Sequence, residues 1–311
     1  MAQDNSNAVD PPGISSLQAP HDFPPPSAVV KFEYGAYSRQ GSQHEVNEDH
    51  YLVVRLGRHQ ETLRTSLPAS TIPKRYDEYG YGMVVADGMG GGGAGEAASR
   101  IAISTLVHLL LYFGKWNLRI DEQIAREIMD RAERFYRYVD DTMLEESRTG
   151  PVPGLRTTLT AGFSAGTDLF MAHVGHSRAY LCRGGELFRL THDHTIGPRR
   201  SPRVGVAPLV DVNATSRDLR HILTETIGMG GPAGPVIDLR RIKLQDNDHI
   251  LLCTNGVSDM VDEEVMAEAL VSDRTPDDMC QTIVDLAMLT GGEDDATAVV
   301  TRYRIPAEDA R

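Results

Sequence analysis

The sequence predicts an α+β fold in which antiparallel strands form layered sheets and long helices lie outside them. Three observations carry this reading. β-Branched and alternating runs occur in groups of near neighbours, a Gly-Gly pair separates two of them, and three long blocks repeat apolar residues at helical spacing.

The strand runs fall at 31–37, 51–56, 81–86, 157–165, 169–174, 178–183, 236–244, 249–254 and 297–305. Arg183-Gly184-Gly185-Glu186 places two glycines where a tight hairpin needs them, so its flanking runs pair antiparallel. Helical spacing covers 94–113, 121–146 and 275–289. The second block sets Ile124, Ile128, Phe135, Val139 and Met143 on one face. The third opens Thr275-Pro276-Asp277-Asp278, which combines a hydroxyl N-cap, Pro at the first helical position and acids at the positive end of the helix dipole.

Residues 1–30 are rich in Pro, Ser, Asn and Ala, a composition that cannot bury a core, and are read as a proline-rich disordered tail. One domain then spans 31–306, and 307–311 form a C-terminal tail. Two stretches fit neither period: 57–80, a polar insertion, and 194–234, a Gly- and Pro-containing segment of the kind that more often carries function than connects core elements.

With 311 residues and 41% hydrophobic content, the chain can fill a sizeable core. Asp plus Glu outnumber Lys plus Arg by 44 to 31, and the net charge of −13 opposes nonspecific binding to nucleic acid or an anionic membrane. The three cysteines, Cys182, Cys253 and Cys280, form no CxxC pair, which argues against a disulfide scaffold and a thiolate zinc site. No apolar leader opens the sequence, and the apolar run 101–113 is too short to span a bilayer. A cytoplasmic, reducing location is the expectation.

The chemistry gathers at strand ends. Met83-Val84-Val85-Ala86 runs into Asp87-Gly88-Met89-Gly90-Gly91, which puts a carboxylate beside glycines that allow close backbone approach to a ligand. No Lys-Ser or Lys-Thr follows, so a phosphate-binding P-loop is excluded, and an Asp before the glycines is foreign to a dinucleotide-binding turn. Asn47-Glu48-Asp49, Asn255-Gly256 and Asp294-Asp295 stand at similar breaks. Each alone reads as turn chemistry. Together they are an ordered set of oxygen donors of the kind a hard divalent cation takes.

At these residues the chain resembles the type 2C family of metal-dependent protein serine/threonine phosphatases, its prokaryotic members most closely. The resembling segments come in the family's order: 41–49, 84–91, Arg156-Thr157-Thr158-Leu159-Thr160, 174–180, 190–195, 223–228, 251–259 and 292–300. The resemblance implies a four-layer sandwich, two central, mostly antiparallel β-sheets flanked by helix pairs, with 194–234 at the place of a mobile flap. It implies hydrolysis of phosphoserine and phosphothreonine in proteins by a water or hydroxide bridging two or more Mn2+ or Mg2+ ions, acting on substrates of a serine/threonine kinase. Asp87 takes the place of the bridging carboxylate, Glu48 and the Gly88 carbonyl serve one ion, and Asp294 serves the other. Asn255 stands where a third ligand is normally aspartate. Asp49 and Asp259 correspond to acids that hold metal-bound waters or an additional ion.

Several positions depart from the family pattern. His44 stands where an arginine usually grips substrate phosphate, and it lacks the bidentate fork. His176 replaces a common aspartate and is read as a structural histidine, Asp295 replaces an asparagine, and no acid lies between Thr149 and Arg156, so a third-metal ligand from that segment is missing or supplied by Glu145 or Glu146. Asn255 and His44 keep a second reading open, a catalytically silent binding or sensing module on the same fold.

Overall fold

The chain's computed structural model describes residues 30–68, 71–90, 93–115, 118–196, 222–231 and 234–306. The expected N-terminal tail apart from Val30, the C-terminal tail and the interior of the flap-like segment, 197–221, lie outside the described residues.

In chain order the elements are β1 (Lys31–Arg39), β2 (Asp49–Glu61), β3 (Arg75–Met89), α1 (Ala94–Phe113), α2 (Glu122–Thr149), β4 (Arg156–Thr157), β5 (Leu159–Ala165), β6 (Asp168–Val174), β7 (Arg178–Arg183), β8 (Glu186–Arg189), β9 (Asp238–Lys243), β10 (His249–Cys253), α3 (Asn255–Ser258), α4 (Glu263–Leu270), α5 (Pro276–Thr290) and β11 (Ala296–Arg304). One sheet has the order β1-β11-β10-β7-β8, the other β2-β3-β5-β6-β9, with β4 paired to the end of β3. Every registered pair among the described residues is antiparallel. That arrangement removes the dinucleotide-binding alternative, which needs a parallel βαβ unit.

Period-two alternation sorts the side chains into layers. Met83 and Val85 of β3 meet Leu181 of β7, Leu252 of β10 and Val299 of β11 between the sheets. Their neighbours Val84 and Ala86 face outward, onto Ala102 and Leu106 of α1 and Phe135 and Val139 of α2. On the far side Leu251 and Val300 pack on Met266 of α4 and Ile283 and Val284 of α5. The result is the expected four-layer sandwich. Central strands are apolar on both faces because both faces are covered, and each fully buried side chain such as Leu159 or Ile283 contributes about 2 kcal/mol.

Local chemistry starts the helices as the sequence suggests. The Asp121 side chain accepts the Ile124 N–H at 2.7 Å, and Thr275 Oγ1 accepts the Asp278 N–H at 3.2 Å. α1 is long and apolar enough by composition to cross a membrane, but it lies across a sheet with Ala98, Ala102, Leu106 and Leu109 buried against it.

The stretch expected to be an irregular insertion is strand at both of its ends. β2 and β3 continue as a ribbon through Gly57↔Tyr79 to Glu61↔Arg75. Its pairing is reinforced by polar contacts, His59 Nδ1 to Asp77 Oδ1 at 2.6 Å and Arg58 Nη1 to Glu78 Oε2 at 3.8 Å, so no apolar alternation marks it. The run 157–165 breaks at Thr158, whose N–H donates to the Asp87 carbonyl at 2.9 Å. The Gly-Gly hairpin is present: Gly184 and Gly185 have φ of 60° and 88°, and Arg183 pairs with Glu186.

Candidate functional site

Asp87 lies near the end of β3, opposite Asp49 in the β2 register. Its N–H donates to Thr158 Oγ1 at 3.0 Å, and its carbonyl accepts from Thr157 Oγ1 at 2.8 Å. These bonds fix the backbone on both sides of the carboxylate. The next residue, Gly88, donates its N–H to the Glu48 carbonyl at 3.1 Å. A Cβ at Gly88 would lie 1.8 Å from the Gly95 carbonyl oxygen, and one at Gly95 would lie 2.2 Å from Glu48 Oε2. Glycine at both positions therefore lets the strand end, the first turn of α1 and the Glu48 carboxylate meet.

The other wall comes from the second sheet. Asn255 opens α3, and its Nδ2 donates to Asp294 Oδ2 at 2.8 Å, while Asp294 Oδ1 accepts the Asp295 N–H at 2.9 Å. Asp295 is buried and gathers three donors from the β1–β2 loop: the Gly41 N–H at 2.8 Å, the Glu48 N–H at 2.7 Å and His44 Nδ1 at 2.8 Å. Thr254 Oγ1 donates to Asp49 Oδ2 at 2.7 Å.

These residues surround a cleft of about 810 Å³ lined by His44, Glu48, Asp87, Gly88, Asn255 and Asp294, with Met89 and His176 beside them. Six of the eight expected site residues thus share one cavity. Asp49 and Asp259 do not line it. Asp49 is buried below, on Thr254, and Asp259 Oδ1 faces Arg178 Nη2 at 3.5 Å and His176 Nε2 at 3.8 Å. His176 itself is buried, with Nε2 3.7 Å from Asp193 Oδ2.

Negative charge dominates the cleft. Burial, followed by repulsion from Asp49, Asp294, Asp295 and Glu48, pushes the Asp87 carboxyl well above the ordinary range. Burial does the same to Asp49 and raises Glu48. His44 is raised as well, but toward its charged form: burial works against the imidazolium, and the Asp295 hydrogen bond and the surrounding carboxylates outweigh it and hold the charge to a higher pH. Among the described residues, no Lys or Arg lines the cavity to neutralise these acids.

That donor set fits divalent cations. It is all oxygen, it carries repulsion that a cation would relieve, and Asn255 Oδ1 is buried without a hydrogen-bond partner among the described residues. The side chains ring the cleft and do not close on a point: among the described residues, no three His, Cys, Asp or Glu side chains stand at metal-ligand spacing.

The protein phosphatase 2C family profile matches residues 74–283. The chain belongs to the protein phosphatase 2C family. The matched residues include Asp87, Gly88, Asn255 and Asp259, while His44, Glu48, Asp49 and Asp294 flank them. A serine/threonine protein phosphatase of Mycobacterium tuberculosis, PstP, is 31% identical over 219 residues, 70% of this chain and 39% of that protein. The chain therefore spans well under half the length of that relative. A serine/threonine phosphatase of Listeria monocytogenes is 31% identical over 70% of this chain and 82% of its own length. The solved catalytic domain of PstP in complex with two manganese ions superposes with a TM-score of 0.60 at 27% identity, covering 88% of this chain and 99% of that one. The family is a hydrolytic, metal-dependent one.

Sequence reasoning did not anticipate what Asp295, Thr158 and Thr254 do. Asp295 was visible as a departure from an asparagine, and Thr254 as the residue before Asn255, but their partners come from elsewhere in the chain.

Proposed function

We propose that this chain removes phosphate from phosphoserine and phosphothreonine in proteins phosphorylated by a serine/threonine kinase, using two divalent cations, manganese or magnesium. The observation that carries the reading is the convergence of Glu48, Asp87, Asp294 and Asn255 on one acidic cleft at the mouth of the two sheets. Asp87 would be shared between the ions, Glu48 and the Gly88 carbonyl would hold one, and Asp294 and Asn255 the other. Bound there, the cations would supply neutralisation of phosphate charge and a lowered pKa for a water nucleophile.

The protein's own residues supply the frame. Thr157 and Thr158 hold Asp87 at the strand end, and Asp295 ties the His44–Glu48 loop to β11. With Nδ1–H directed to Asp295, protonated His44 presents Nε2–H to a substrate phosphate, one donor where an arginine would give two. Asp49 and Asp259, set back from the cleft lining, would hold waters around the ions or an additional ion. A net charge of −13 supports protein substrates over nucleic acid, and three free, buried cysteines are consistent with a reducing, cytoplasmic setting.

The test is hydrolysis of a phosphothreonine peptide and of an aryl phosphate by the chain in EDTA, manganese and magnesium. Turnover that EDTA abolishes and manganese restores supports the reading. Absence of turnover in every metal condition would instead favour the silent module suggested by Asn255 and His44.

A further inference from the structure

The helix pair does not seal against its sheet. Between them lies an apolar cavity of about 120 Å³, away from the acidic cleft: its α1 wall starts at Leu106, roughly 16 Å along the helix from Gly95 beside Glu48. Small residues on the sheet open it. Ala161 pairs with Ala172, and Gly82 lies on the neighbouring strand between Val54 and Phe163, with Leu106 and Ala132 lining the space from the helices. Gly82 and Ala161 remain partly accessible although helices cover this face.

Two charged side chains, Lys115 and Arg131, complete the wall. Lys115 Nζ has an acid 3.7 Å away, Glu127 Oε2. Arg131 differs: its Nη1 reaches only the Lys115 carbonyl, at 3.5 Å, and no carboxylate lies within 4.0 Å of it among the described residues. Burial lowers its pKa, with Glu127 opposing and Arg134 adding to the effect. A partly desolvated guanidinium at an apolar cavity is a receptor for one carboxylate, since such cations are normally paired. An apolar cavity of about 150 Å³ accepts benzene, so the space here suits one ring or a chain of similar bulk.

We propose that this cavity binds a small organic monocarboxylate, its apolar body between sheet and helix pair and its carboxylate on Arg131. Neither the site nor its ligand depends on the chemistry of the acidic cleft.

Isothermal titration of the full chain with phenylacetate, and with benzyl alcohol as its uncharged counterpart, tests this. Phenylacetate is expected to bind the wild type more tightly than benzyl alcohol. Arg131→Gln should weaken phenylacetate about tenfold and leave benzyl alcohol unchanged, as loss of one charged contact predicts. Ala161→Leu fills the cavity and should abolish binding of both with the melting temperature held or raised. If that variant does not fold, Ala132→Leu fills the same space from the helix side. Absence of phenylacetate binding to the wild type, binding that survives filling of the cavity, or equal loss of both ligands in Arg131→Gln would each overturn the proposal.

Discussion

Asn255 Nδ2 donates to Asp294 Oδ2 at 2.8 Å, and the other end of the amide, Oδ1, is buried without a hydrogen-bond partner among the described residues. Two candidate ligands of one cation are thus tied to each other by a neutral-to-charged hydrogen bond. An aspartate at 255 would place two carboxylates in repulsion at that spacing, relieved only by a cation. Asparagine makes the acidic cleft less dependent on metal for its shape, and it also removes a charge that would attract metal.

Asn255→Asp is therefore expected to reach half-maximal activity at lower manganese than the wild type. In EDTA the same variant should melt at a lower temperature, because a charge-assisted bond of about 1.5–3 kcal/mol is replaced by repulsion. Metal titration of activity and melting curves with and without chelator measure both. Equal half-saturation concentrations would show that Asn255 does not touch the ion.

Asp87→Asn is expected to lose hydrolysis almost completely even at saturating manganese, because the residue is placed to serve both ions. Asp49→Asn should mainly shift the metal requirement, since Asp49 is buried beneath the cleft on Thr254 and does not line it. Steady-state kinetics across a manganese series separates the two, and wild-type turnover by Asp87→Asn would sink the metal assignment.

The parts of this molecule legible in the sequence were those with local signatures. Asp87 between an apolar run and glycines, the Gly184-Gly185 hairpin and the Thr275-Pro276 helix start each combine residue types that are specific over a few positions. Other features left no such mark. α4 is eight residues long with Met266 and Leu270 as its buried side chains, too little for a period to show. The extension of β2 and β3 is polar on both faces, so alternation vanished where pairing continued. Asp295 meets Gly41, His44 and Glu48 across 254, 251 and 247 residues of chain, a separation at which composition says nothing about contact.

Asp295 is consequently a stability residue as well as a neighbour of the site. Asp295→Ala leaves the Gly41 and Glu48 N–H groups without their acceptor in a buried position, a loss on the order of 3 kcal/mol. Asp295→Asn retains an acceptor oxygen and should lose less. Urea unfolding of the three proteins checks the order, and Asp295→Ala with wild-type stability would mean that the loop is held by other contacts.

Acid stability should depend on His173. Its ring is buried, Nδ1 pairs with Thr160 Oγ1 at 2.8 Å and Nε2 lies 3.1 Å from the His192 carbonyl oxygen. Burial, assisted by the neighbouring His194, drops its pKa from 6.5 to about 3. The folded protein therefore keeps His173 neutral, whereas the unfolded chain takes up a proton below pH 6.5. The unfolded state binds more protons in that window, so stability falls as pH is lowered from 6.5 toward 3, at up to about 1.4 kcal/mol per pH unit from this group. His249, depressed by burial to about 4, adds a decline of the same sign that ends earlier. The metal-free cleft opposes both: with the carboxyls of Asp87, Asp49 and Glu48 raised, the folded state binds protons there before the unfolded chain does. Total acid sensitivity is thus a poor readout, and the difference between two proteins is a good one. His173→Gln keeps an amide able to bond Thr160 and removes the titration. Between pH 6 and pH 4 the wild-type unfolding free energy should fall more steeply than that of the variant by about one proton's worth, the same 1.4 kcal/mol per pH unit. Parallel lines for the two proteins in denaturant titrations across that range would show that His173 is protonated in the folded state as readily as in the unfolded one.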